Sequence, residues 1–237
     1  MKRIRELIEE IKRRYPGDNF FANFETNDPI YQANKKEYLA YNRAFMALDN
    51  ESWNVLREKA VAKFHSNQRE GQKKQGFFNI LNEAFAYKYL TKKGFTNVSF
   101  VKEENGKNAP KKPDLIFNIK DTQAYCEVKT LGISNDEISR RQKIKKFGWA
   151  PVPYHDWVNL SNEFLETKFS NPIEIAQQQM GALGNNNLIY IIIRFDDSSL
   201  NYYPNYRRKL IKFCKEQKYH NLFIKIGILG NKRIFIK

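Results

Sequence analysis

Only two cysteines, Cys126 and Cys214, occur in the 237 residues, and the three histidines, His65, His155 and His220, lie far apart with no cysteine beside them. Two such thiols do not make a disulfide framework, and no spacing suits a structural zinc. Long apolar runs are also missing. No segment approaches the ~20 apolar residues that a membrane-crossing helix needs, and Met1 to Arg14 is charged throughout where a signal peptide would be apolar. These absences lead to the expectation of a cytoplasmic protein with no membrane association. There is no internal repeat and no long low-complexity tract, and the isolated histidines are assigned no catalytic role.

Acid is the other shortage. The chain has 41 Lys plus Arg against 26 Asp plus Glu, a formal charge of +15. Such a field steers phosphates toward the protein, and phosphate contacts release counterions, so binding would be salt-dependent. The expected partner is a polyanion, and charge alone does not separate DNA from RNA.

The length allows a sizeable core, and the pattern divides it. Ile4, Leu7, Ile8 and Ile11 mark an amphipathic helix over 2–14, ended by Tyr15-Pro16-Gly17. Further helices are expected from about Lys35 to Leu48 and from Ser52 to His65, with Ser52 as the cap. Residues 1–70 therefore read as a helical N-terminal extension and 71–237 as the core. Within that core, Phe78, Leu81, Phe85 and Tyr89 fall at helical spacing between Gln75 and Lys93, with Gly94 as the stop. A strand is expected at Asn97–Val101. Beyond residue 129 the order is a polar basic stretch to Pro153, a helix from Asn171 or Pro172 to Leu183 and a strand over Leu188–Phe195. A helix over Pro204–Gln217 and strands at Leu222–Ile226 and Arg233–Ile236 follow. This is an α/β order with a mixed central sheet flanked by helices.

The chemistry concentrates in Lys112-Pro113-Asp114-Leu115-Ile116-Phe117-Asn118-Ile119 and the later run Ala124-Tyr125-Cys126-Glu127-Val128-Lys129-Thr130. Both runs are β-prone, and Lys120 to Gln123 reads as the turn of a hairpin. If Ile119 faces Ala124, Asp114 stands opposite Lys129 and Ile116 opposite Glu127. Alternation then sends Asp114, Glu127 and Lys129 to one face, and Leu115, Phe117, Cys126 and Val128 to the other. Asp114 and Glu127, with the carbonyl of Val128, make a set of hard oxygen donors for Mg²⁺ or Mn²⁺, leaving room for a phosphate and a water. Lys129 would orient or deprotonate that water, or offset charge developing on the phosphate. The plain alternative is a solvated sheet face.

Pro-Asp followed thirteen residues later by Glu-x-Lys resembles the motif of the PD-(D/E)xK nuclease superfamily, whose fold is restriction-endonuclease-like. The resemblance spans roughly residues 72 to 195 and implies an endonuclease of restriction, defence or repair type, acting on DNA in preference to RNA. It carries over Asp114, Glu127 and Lys129, and adds Glu83 as a third acidic site residue and metal ligand, since it is the only acid in the helix before the hairpin. Pairing of Glu83 with Tyr87 or Lys88 on a helix surface is the alternative. One of Gln177, Gln178 and Gln179 would help to hold the site. Arg140, Arg141, Lys143, Lys145 and Lys146, followed by Phe147, Trp149, Tyr154 and Trp157, suit phosphate pairing and base stacking, against the alternative of a charged helix end before a packed aromatic loop. By analogy with the class, a homodimer joined through the N-terminal helices is expected. The competing functions are an inactive nucleic-acid-binding or assembly module of the same fold, and a ribonuclease toxin.

Overall fold

The computed structural model describes residues 1–24, 29–65, 74–101, 112–132, 139, 142–143, 146–148, 164–181, 183, 186–194, 203–229 and 232–236. Helix α1 (Lys2–Arg14) buries the stripe Ile4, Leu7, Ile8 and Ile11 that its spacing marks. Helix α2 (Pro29–Phe45) starts earlier than expected, because proline is well tolerated in a first helical turn, where its missing N–H leaves no bond unmade. Helix α3 (Asn50–Lys63) is capped by Asp49 rather than Ser52: the Asp49 carboxylate accepts the Ser52 N–H at 2.7 Å.

Helix α4 (Gln75–Lys92) is more deeply buried than its apolar stripe suggests. Leu81, Asn82, Glu83, Ala84, Phe85, Ala86 and Tyr87 are buried in succession. Helices α2 and α3 pack against α4, which in turn lies on the sheet, so little of its circumference meets water.

Six strands form one mixed sheet in chain order: β1 (Thr96–Phe100), β2 (Leu115–Ile119), β3 (Thr122–Leu131), β4 (Leu188–Ile193), β5 (Leu222–Ile226) and β6 (Arg233–Ile236). β3, β4 and β5 are parallel, and the other neighbours are antiparallel. A π-helical turn, Phe164–Phe169, leads into α5 (Ser170–Gly181), which joins β3 to β4, and α6 (Tyr203–Glu216) joins β4 to β5. Two right-handed crossovers stepping in the same direction put both helices on the same face. The packing agrees, with Ile173, Met180, Leu210 and Cys214 against Ile189, Ile191 and Ile224. The opposite face, with Phe117, Cys126, Tyr190 and Phe223, shares one apolar core with α1 to α4. Covered on both sides, β4 and β5 are buried along their whole length. Among the described residues no helix is long and apolar enough to cross a membrane.

The β2–β3 hairpin is tighter than expected. Ile119 pairs with Thr122, not Ala124, and the turn is Lys120-Asp121, with Lys120 at φ +54°. The slip is two residues, so every side chain keeps its expected face while its partner changes. Carried one step past Leu115↔Cys126, the register sets Asp114 opposite Glu127 instead of Lys129.

Candidate active site

At the end of β2 the chain leaves β3, and the N–H of Val128 has no strand partner on that side. Asp114 fills the gap. Its Oδ2 accepts the Val128 N–H at 2.7 Å, while its main-chain carbonyl accepts the N–H of Val101 at 3.0 Å. The residue after Pro113 is thereby held to both neighbouring strands, which is how a short side chain is brought next to Glu127.

Glu127 and Lys129 follow on β3, on the α5 and α6 side of the sheet by alternation with Tyr125 and Leu131. Lys129 Nζ lies 2.6 Å from Glu127 Oε1. The other oxygen, Oε2, is buried and has no hydrogen-bond partner among the described residues. A buried carboxylate oxygen left unmatched is costly, and such exceptions call for a reason, an ion among them. Asp114 feels the same crowding. Burial, and then the negative charge of Glu127, push its carboxyl up to about 7, against the opposing pull of Lys59, the Val128 N–H and Lys129. Beneath them the Cys126 thiol is raised far above its ordinary value by burial and by Asp114 and Glu127, which makes it an inert apolar side chain.

Glu83 is buried, as its apolar neighbours indicated, but it is bound neither to Tyr87 nor to Lys88 in the way its helix-surface alternative supposed. Tyr87 donates to Asp49 Oδ2 at 3.0 Å and Lys88 to the Arg43 carbonyl at 3.1 Å. Lys59 of α3 instead reaches both Glu83 oxygens, at 3.0 and 3.4 Å. Glu83 belongs to the helix on the opposite sheet face from Glu127. Among the described residues no group of three or more His, Cys, Asp or Glu side chains is placed to hold a metal ion. The expected trio of carboxylates is therefore two that adjoin, Asp114 and Glu127, and a third already matched by a lysine.

Those two nevertheless fit a hard divalent ion. The donor set is all oxygen, one oxygen is orphaned, and Mg²⁺ is commonly held by one or two carboxylates while keeping several waters. Lys59 is the residue that sequence reasoning missed. Nothing in the spacing of α3 distinguishes it from Lys63, the other lysine of that helix.

The remaining candidates divide. Gln178 is exposed and Gln177 is partly buried, whereas Gln179 is partly buried with an Oε1 that has no partner among the described residues. Lys143 and Lys146 are exposed, with the Lys146 ammonium 5.1 Å from the ring centre of the exposed Phe147. Arg140, Arg141, Lys145, Trp149, Tyr154 and Trp157 lie outside the described residues. Comparison with models of protein families, with curated proteins and with solved structures returned no match.

Proposed function

We propose that the chain is a metal-dependent nuclease of restriction-endonuclease-like fold that hydrolyses phosphodiester bonds, in DNA rather than RNA. The observation that carries this reading is the meeting of Asp114 and Glu127 where β2 parts from β3, with Lys129 against one Glu127 oxygen and the other oxygen unmatched. Asp114, Glu127 and the carbonyl of Val128 would hold Mg²⁺ or Mn²⁺. When bound, such an ion supplies Lewis acidity toward a phosphate oxygen and lowers the pKa of a coordinated water. Lys129 keeps an ammonium beside these acids, placed to orient an attacking water and to offset the charge that grows on the phosphate. The apolar strands under the pair exclude water from one side, which strengthens each of these interactions. The strongly positive chain favours a polyanionic substrate.

The Lys59–Glu83 pair favours a second reading, an inactive nucleic-acid-binding or assembly module, because it removes one carboxylate from use. Incubation with duplex DNA, single-stranded DNA and total RNA, each with Mg²⁺, with Mn²⁺ and with EDTA, separates the two. Metal-dependent cleavage that Asp114→Asn abolishes supports the nuclease. Binding without cleavage under every condition supports the module, and cleavage confined to RNA supports a ribonuclease.

A further inference from the structure

On the sheet face that α1 to α4 cover, the cover ends before β6: Arg233 and Phe235, which alternate with the buried Ile234 and Ile236, are exposed, Phe235 at 47%. The register sets Arg233 opposite Lys225 and Phe235 opposite Phe223, and directly opposed residues share a face. From α4, Phe85, Lys88, Tyr89 and Lys92 fall at i, i+3, i+4 and i+7, on one side of the helix. The Phe85 ring centre lies 5.2 Å from the Lys225 ammonium, and that of Tyr89 lies 3.9 Å from that of Phe223. The margin between α4 and β6 therefore carries a cationic row and an aromatic row, one pleat repeat or about 7 Å apart.

Like charges set directly opposite each other cost stability, as do lysines at i and i+4 such as Lys88 and Lys92. Lys225 is buried at the foot of the strip and donates to the neutral carbonyls of Gly227 and Ile228, at 2.8 Å each. Burial, and then the charges of Arg233 and Lys88, push it down to about 8. On α1, by contrast, Glu9 lies 3.6 Å from Lys12 and Glu10 lies 3.7 Å from Arg13. A strip that stability alone would not select, with an exposed ring beside its charges, suits an anion that carries flat faces. We propose that this strip binds single-stranded nucleic acid, with phosphates on Lys88, Lys92 and Arg233 and bases stacked on Phe235 and Tyr89. A duplex keeps the faces of its bases within its own stack, so the aromatic row selects the single strand. The strip lies on the opposite sheet face from Glu127 and Lys129, and a chain that binds without cutting would use it equally.

The experiment is fluorescence anisotropy of a labelled oligothymidylate of about 16 nucleotides with the full-length chain, in EDTA and over a salt series, with folding checked by circular dichroism. Phe235→Ala should weaken binding by roughly 5- to 150-fold and leave the salt slope as it was, while Phe235→Tyr, which keeps a ring, should bind like the parent. Arg233→Gln with Lys92→Gln, both at exposed positions, should flatten the log-log slope by about 0.7 for each of the two phosphates released. Lys212→Gln with Lys215→Gln removes the same charge from exposed side chains of α6, on the other sheet face, and should leave the slope unchanged. Equal slopes for these two double variants overturn the proposal, and so does parent-like binding by Phe235→Ala. Should Arg233→Gln with Lys92→Gln not fold, the contrast between Phe235→Ala and Phe235→Tyr decides. Tighter binding of phosphatidylserine vesicles than of the oligonucleotide, weakened by the same substitutions, would make the strip a membrane-facing surface and overturn the proposal as well.

Discussion

Two lysine–carboxylate pairs hold Glu83 and Glu127, and they differ in completeness. Lys59–Glu83 joins two helices and engages both carboxylate oxygens, whereas Lys129–Glu127 joins next-nearest residues of one strand and leaves Glu127 Oε2 buried without a partner among the described residues. In the first pair both carboxylate oxygens are engaged, as in a structural contact. The second is open, and an open buried carboxylate is a place for something to bind. Chemistry is expected at the second pair and stability at the first.

The largest test of that division is cleavage. Asp114→Ala and Glu127→Ala should lower Mg²⁺-dependent hydrolysis by roughly 10³-fold or more while leaving a folded protein, and Lys129→Ala should do the same while sparing metal affinity. Undiminished turnover by the Asp114 variant, or cleavage unchanged in EDTA, would end the comparison.

Stability comes next in size. Lys59→Ala removes the ammonium bound to both oxygens of the buried Glu83 and should cost about 3–5 kcal/mol in urea unfolding. Glu127→Gln, by contrast, removes a charge that is only half matched. The metal-free protein should be as stable as the parent or more so, by up to about 1 kcal/mol. The reverse ranking of the two would exchange the roles assigned to the pairs.

The pH profile sharpens the contrast further. Because the folded protein raises the Asp114 carboxyl from 3.8 to about 7, it binds that proton more tightly than the unfolded chain does. The contribution to stability is fully present below about 3.8 and is lost as pH rises to about 7. Thermal unfolding in EDTA should show this decline in the parent and a flatter profile in Asp114→Asn. Added Mg²⁺ should recover stability at and above neutral pH.

The smallest effect concerns the basic segment. Neutralising Lys143 and Lys146 together with Arg140, Arg141 and Lys145 should weaken binding to every sequence and flatten the log-log salt dependence by roughly one unit for each phosphate that no longer meets a cation. Affinity for Mn²⁺ should hold. Equal slopes for a duplex over a salt series would place the phosphate-binding surface elsewhere, with the basic end of α1 around Lys12, Arg13 and Arg14 as the next segment to neutralise.

Where the sequence was legible, a periodic pattern or a stop signal carried the information. The α1 stripe, the continuous apolar β4 and the two last strands follow their patterns closely, and the faces of Asp114, Glu127 and Lys129 survive because a period of two is blind to an even slip. The register itself was not legible. It depends on Lys120 taking a left-handed conformation, for which a lysine gives no signal. The Asp49 cap lay one turn before the expected Ser52, and the π-helical turn before α5 announces itself by no residue type. Lys59 was the least legible of all. Amphipathic spacing tells which residues face a core, but not which charged side chain crosses to a neighbouring helix and finds an acid there.

A buried polar relay runs beside this site: the Tyr41 hydroxyl donates to Asn82 Oδ1 at 2.8 Å, and Asn82 Nδ2 donates to Thr130 Oγ1 at 3.0 Å. It links α2 to the residue next to Lys129 through the middle of α4. A fragment starting at Gln75 would therefore hold Asp114, Glu127 and Lys129 yet lack the hydroxyl and the ammonium that Asn82 and Glu83 face. Co-expressed halves, cut between α3 and α4, would carry complementary surfaces with hydrogen-bonding instructions for re-docking written into them. The helices ahead of the motif act less as an attachment than as the missing half of a lock.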